Sequence, residues 1–172
     1  MRRILHFLGA FLFALLPVMP AAAAPVSATT TVTVKASVVK PLTLTTKQNL
    51  DLGTIILTGG TWSNATISVS QAGVRTCTNA NVTCSGAVLP ATFNIAGTNK
   101  QTVQIFAPAV TLVNQSDSTQ TLVMTLSAPA TIAIPNSGNP GIDFSVGGSI
   151  TVSSSTAGGL YSGTMNVTVD YQ

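Results

Sequence analysis

The sequence contains no glutamate, and its single histidine is His6, close to the start of the chain. Four scattered aspartates, Asp51, Asp117, Asp143 and Asp170, are its only acidic side chains. General acid–base catalysis relies on histidine, or on carboxylates tuned by a close neighbour. No triad and no carboxylate pair is legible, so the inventory argues against an enzyme. Aromatic residues make up only 5% of the chain, which argues against a transmembrane β-barrel, because such barrels carry aromatic girdles at both water interfaces. No cluster of Lys and Arg forms a phosphate-binding face, and nucleic acid is not an expected partner. Two cysteines, with neither His nor Glu beyond residue 6, make no metal-ligand set and no Cys-x-x-Cys redox motif. No metal and no other cofactor is expected.

What is present at the front of the chain points to export. Arg2 and Arg3 precede an apolar run from Ile4 to Leu16, followed by Pro17, Pro20 and small alanines. That is the pattern of a secretory signal peptide, and the run is too short for a good membrane span. The small-residue rule places cleavage between Ala23 and Ala24, with cleavage after Ala28 as the alternative. The expected organisation is a signal peptide over 1–23, an N-terminal extension over 24–40 and one domain over 41–172, a normal size for a single core. The mature chain is expected to be exported and not integral to a membrane. Without Arg2 and Arg3, five Lys and Arg face four aspartates, a net charge of about +1.

Beyond residue 40 the chain reads as strand, turn, strand. Period-two alternation marks Thr66–Ser70, Thr102–Phe106, Thr121–Leu126 and Ile142–Val152. Gly147 and Gly148 interrupt the last of these and predict a bulge or tight turn. Turn residues cluster at Gly59-Gly60, Gly97–Asn99, Asn114–Ser118, Pro135–Gly141 and Ser153–Gly159. No helical periodicity is sustained, and Thr, Val and Ser dominate, which suits pleated, half-buried surfaces. Many short strands with regular turns predict an all-β, antiparallel sandwich of the immunoglobulin type. Cys77 and Cys84 flank a turn-rich loop and are expected to form a disulfide in an exported protein. Four Asn-x-Ser/Thr sequons, at Asn64, Asn81, Asn114 and Asn166, are expected by chance in so Thr-rich a chain. Trp62, beside Gly59-Gly60-Thr61, is a candidate sugar-stacking residue, though a lone Trp near a turn is more often part of a core or an edge.

The two ends of the mature chain carry the strongest pattern. Ala28, Thr30, Val32, Val34, Ala36 and Val38 alternate with polar residues up to Pro41, an amphipathic strand near a terminus. At the other end Met165, Val167, Val169 and Tyr171 alternate with Asn166, Thr168 and Asp170, with Gly159 further upstream. The pairing of Gly159 with the penultimate Tyr171 resembles the C-terminal signature of chaperone–usher pilus subunits. Thr-Val-Thr-Val-Lys-Ala-Ser-Val-Val-Lys-Pro resembles their N-terminal donor strand. Leu50-Asp51-Leu52-Gly53 resembles a motif of small secreted pilin-like domains, and with the C-terminal pattern it resembles a bacterial family of secreted domains without an assigned function.

The resemblance implies a sandwich that is incomplete by itself and completed by a strand donated from another subunit. Thr30, Val32, Val34, Ala36 and Val38 would be the donated residues. Gly159, Met165, Val167, Val169 and Tyr171 would belong to the segment that a chaperone grips and a neighbour then flanks. The implied partners are further copies of the chain or related pilins, a periplasmic chaperone and an outer-membrane usher. The implied route is through the periplasm to a surface fibre with a role in cell adhesion. Periodicity alone leaves a second reading open. Residues 28–39 are equally an edge strand of the protein's own sandwich, in which case the domain is a monomeric surface-binding module for carbohydrate or protein.

Overall fold

Alternating apolar and hydroxyl-bearing residues put one face of each strand into a core and leave the other to water. The computed structural model describes residues 27–135 and 140–172. The proposed signal peptide, including Ala23 and Ala24, lies outside the described residues. The strands are β1 (Thr43–Gln48), β2 (Thr54–Leu57), β3 (Ala65–Val69), β4 (Arg75–Thr76), β5 (Val82–Ser85), β6 (Ala91–Ala96), β7 (Thr102–Phe106), β8 (Val110–Asn114), β9 (Thr121–Ser127), β10 (Thr131–Ala133), β11 (Ile142–Val152), β12 (Tyr161–Ser162) and β13 (Thr168–Tyr171). Every pairing between them is antiparallel.

The large sheet runs β1-β6-β11-β9-β8-β12, with β3 and β4 attached through β11. A three-stranded sheet, β10-β7-β13, packs over its first half. The order β1-β6-β11-β9 against β10-β7-β13 makes this half an antiparallel β-sandwich. β13 ends its sheet, with β7 as its one strand neighbour among the described residues.

Two apolar clusters fill the interior. The first lies between the facing sheets and includes Phe93, Ile95, Val103, Ile105, Phe144 and Val146, with Phe93 and Phe144 stacked at 5.4 Å. The second is built on Ile67, Val69, Leu112, Met124, Ile150 and Val152. Leu50, Leu126 and Met165 pack against both.

β11 joins the two halves because it changes partners along its length. Residues 142–146 pair with β6, and residues 147–152 pair with β3 and β9. Gly147 and Gly148 stand at the changeover, and here the sequence expectation fails. The strand passes through them without a bulge or turn. A Cβ on Gly147 would run into the Val69 carbonyl and the Ser70 backbone, so the glycine serves close approach of β3.

The Cys77–Cys84 disulfide is present. It closes the loop between β4, which pairs with β3, and β5, which pairs with β2. The staple therefore links segments of two different sheets rather than the arms of one hairpin.

Candidate functional site

β13 is an edge strand. Among the described residues it pairs with β7 alone, and the register sets Val169 opposite Ile105 and Tyr171 opposite Val103. Gln172 N–H donates to the Thr102 carbonyl at 3.0 Å, whereas Ile105 N–H turns the other way, to Ala130. Opposed antiparallel residues alternate between bonded and non-bonded pairs. The N–H and C=O groups of Val169 and Tyr171 therefore point away from β7, toward the open side.

Beneath that open side the apolar surface is only half covered. Met165, Val167, Val169 and Tyr171 are all half-buried, and the intervening Asn166, Thr168 and Asp170 are exposed. The period-two pattern read from the sequence thus extends through residues 165–171, although the strand itself begins at Thr168. β1 is the edge of the facing sheet, pairing with β6 alone among the described residues, and its Leu42 flank and Leu44 are half-buried against the same cluster. By contrast Ile95 and Val103, deeper in that cluster, are fully buried.

The two edges meet at one end. The Tyr171 hydroxyl donates to the Lys40 carbonyl at 2.8 Å and accepts from Thr98 N–H at 2.8 Å. Lys40 N–H in turn donates to Thr98 Oγ1 at 2.6 Å.

On the outer face β1 is held by polar groups. Lys47 Nζ lies 2.6 Å from Asp143 Oδ2, and Asn94 Nδ2 donates to Asp143 Oδ1 and to the Pro140 carbonyl. The Asn94 hydrogen bond, with help from Lys47, holds the Asp143 carboxyl below the usual range. A depressed carboxyl contributes stability above its unfolded value that is lost as the pH falls through the native one. The expected loss therefore sets in below about pH 4. Asp143→Asn narrows the gap between melting temperatures at pH 7 and pH 3, read by circular dichroism. A remainder persists from Asp117, which is lowered by its hydrogen bonds from Thr119.

The candidate donor residues are placed very differently. Residues 27–41 carry no strand or bridge, and Val32, Val34 and Val38 are 80%, 87% and 89% exposed. Thr30 and Ala36 are exposed as well. Residues 37–172 form one compact unit, and the described residues 27–36 belong to another.

Gly159 is not part of β13. It sits at φ +144°, where a Cβ would fall 2.5 Å from the Asn114 amide. Asn114 is 2% exposed, donates to the Gly158 carbonyl and accepts from Ser116 N–H. Gly159 thus seats the Gly-Leu-Tyr segment on β8, and the Asn114 sequon is buried. In Leu50-Asp51-Leu52-Gly53, the Asp51 backbone exchanges two hydrogen bonds with Leu89, and Asp51 Oδ1 accepts from Gly53 N–H. The motif carries the chain from β1 to β2 while Leu52 enters the second cluster.

Trp62 is tied into the fold. Its Nε1–H donates to the Thr58 carbonyl, Ser154 Oγ bridges its backbone N–H and C=O, and the ring packs against the second cluster. No group of three or more His, Cys or Asp side chains that could hold a metal occurs among the described residues. No helix there is long and apolar enough to cross a membrane.

A family model, Domain of unknown function (DUF4402), matches residues 42–171. The chain belongs to this family. The matched DUF4402 region begins at Leu42, just past the exposed arm, and ends at Tyr171, the last residue of the open edge. No curated protein matches the chain, and no solved structure does.

Proposed function

We propose that this DUF4402 protein is the structural subunit of a bacterial surface fibre, in which residues 28–39 of one copy complete the sandwich of the next. The observation that carries the reading is the open side of β13. Backbone groups with no strand partner among the described residues lie there beside four half-buried apolar residues, and an apolar arm of matching period is exposed.

The physical fit is direct. Val32, Val34, Ala36 and Val38 repeat every second residue, as do Met165, Val167, Val169 and Tyr171. A strand laid along β13 pairs its backbone with Val169 and Tyr171 and turns four apolar side chains toward the first cluster. Each buried valine contributes about 1.5–3 kcal/mol, with Ala36 adding less. Donor arm and acceptor edge are different surfaces, so the contact is head-to-tail and propagates as an open filament. An exposed edge of this kind invites unspecific pairing, which fits the periplasmic chaperone and outer-membrane usher implied by the pilin resemblance. The signal-peptide pattern fits export to the cell surface.

The test is a denaturing gel of mature protein from the periplasm or cell surface, loaded unheated beside a boiled sample. A ladder that collapses to one band on boiling is the expected result, and Val34→Asp abolishes the ladder while preserving the circular dichroism spectrum. A single monomer band in both lanes from folded protein points instead to the self-complete binding module. A ladder untouched by Val34→Asp would falsify the donor assignment.

A further inference from the structure

The three hydrogen bonds at the mouth of the open edge form a closed ring. Tyr171 O–H donates to the Lys40 carbonyl, Lys40 N–H donates to Thr98 Oγ1, and Thr98 N–H donates to the Tyr171 oxygen. The neighbouring residue leaves room for nothing larger. A Cβ on Gly97 would stand 2.5 Å from the Tyr171 oxygen and 2.8 Å from Leu42 Cδ2. The ring joins two parts of the chain with separate jobs in the fibre reading. Tyr171 is an inward-facing residue of the edge strand that accepts, and Lys40 adjoins Ser37–Val39, the exposed last stretch of the segment that donates.

We infer that the Tyr171 hydroxyl is a positioning contact that couples the two: filling the groove of a subunit fixes the root of that subunit's own donor arm. The inference rests on the strand-donation reading. The physical route is short. With the groove empty, the Tyr171 N–H and C=O face the open side with no strand beside them among the described residues, and the ring is half-buried. A donated strand adds hydrogen bonds to Tyr171 N–H and C=O and covers the ring. The hydroxyl is thereby held in place, and with it the Lys40 carbonyl from which the arm leaves. Ordering already completed on accepting a strand need not be repeated on donating one, so acceptance favours donation. By linkage, a donated arm strengthens acceptance by the same factor. Filled subunits at a growing end are then better donors than free ones, and growth at an existing end is favoured over starting new chains.

The test uses full-length mature protein carrying Val34→Asp, which keeps it from donating, with a spin label on Ser37→Cys. The native cysteines are bonded to each other and do not compete for the label. The probe is a synthetic peptide with the unaltered sequence of residues 28–39. Saturating peptide is expected to slow the label severalfold. In the Tyr171→Phe version the peptide still binds, with affinity within about fivefold, the worth of one ordinary hydrogen bond, but the label stays fast. Thr98→Ala, which leaves the tyrosine in place and removes only the acceptor of Lys40 N–H, gives an intermediate response and guards against a folding defect in the phenylalanine variant. A label that peptide binding does not slow, or slows equally in all three versions, overturns the coupling and leaves strand donation standing. A peptide that fails to bind any version overturns strand donation itself, and the coupling with it.

Discussion

Mixed in equal amounts, a Val34→Asp chain and a Val167→Arg chain stop at pairs. On the proposed function the first accepts a strand but cannot donate one, because an aspartate would be carried into an apolar groove without a partner. The second donates but cannot accept. Val167 is half-buried beside the open side of β13, so in an unfilled subunit an arginine there reaches water along its flexible stem and the fold survives. Under a donated strand the same guanidinium would be shut in unpaired, at a cost of several kcal/mol. Each variant alone runs as a monomer in size-exclusion chromatography with light scattering. The mixture gives one complementary junction and no growth beyond it. Chains longer than two from the mixture would mean that another surface carries assembly.

Gly147→Ala lowers stability by about 3 kcal/mol, and Gly148→Ala by about 1 kcal/mol or less. The difference lies in what each new methyl meets. At Gly147 the obstacle is backbone, the Val69 carbonyl and the start of the turn after β3, which can move only by prising β3 from β11. At Gly148 the nearest atoms are the sulfur and Cγ of Met124, at 3.0 and 3.2 Å. That side chain has rotamers to spare. Urea denaturation of the two variants beside the unaltered chain reads the difference directly.

This pair of glycines also marks where sequence reading reaches its limit. Thr102–Phe106 and Ile142–Val152 are legible to the residue as β7 and β11, because alternation is a local property of one strand. Glycine inside such a run has two meanings, a bend or a close approach, and only the neighbouring strand decides which. Partner choice is equally invisible. Nothing in residues 142–152 says that the first half pairs with β6 and the second with β3 and β9. Ala91–Ala96 carries the same local signature, with Ala91, Phe93 and Ile95 alternating with Thr92 and Asn94 in step with the burial of β6. Short strands such as β4 and β12 offer too few residues for any period.

The candidate site was legible in outline, since the spacing of Met165, Val167, Val169 and Tyr171 survives in their burial. That Gly159 packs on Asn114, and that the Tyr171 hydroxyl reaches a carbonyl 131 positions away, depends on folding and has no local signature. Trp62 takes the commoner role of a lone Trp near a turn: its ring packs on the second cluster, and its N–H and backbone hold the 58–62 loop to Ser154.

On the proposed function, the junction of Lys40 with Tyr171 also decides how a fibre bears load. Tension arriving through a subunit's own arm enters at Lys40 and passes within three residues into β1. It leaves through the strand seated along β13. The point of entry is tied to the accepting edge across 2.8 Å, and the pull is resisted by the two edge strands and the first cluster. The second cluster and the Cys77–Cys84 bridge lie off this path. A chain stretched in this way leaves most of each copy's interior unloaded.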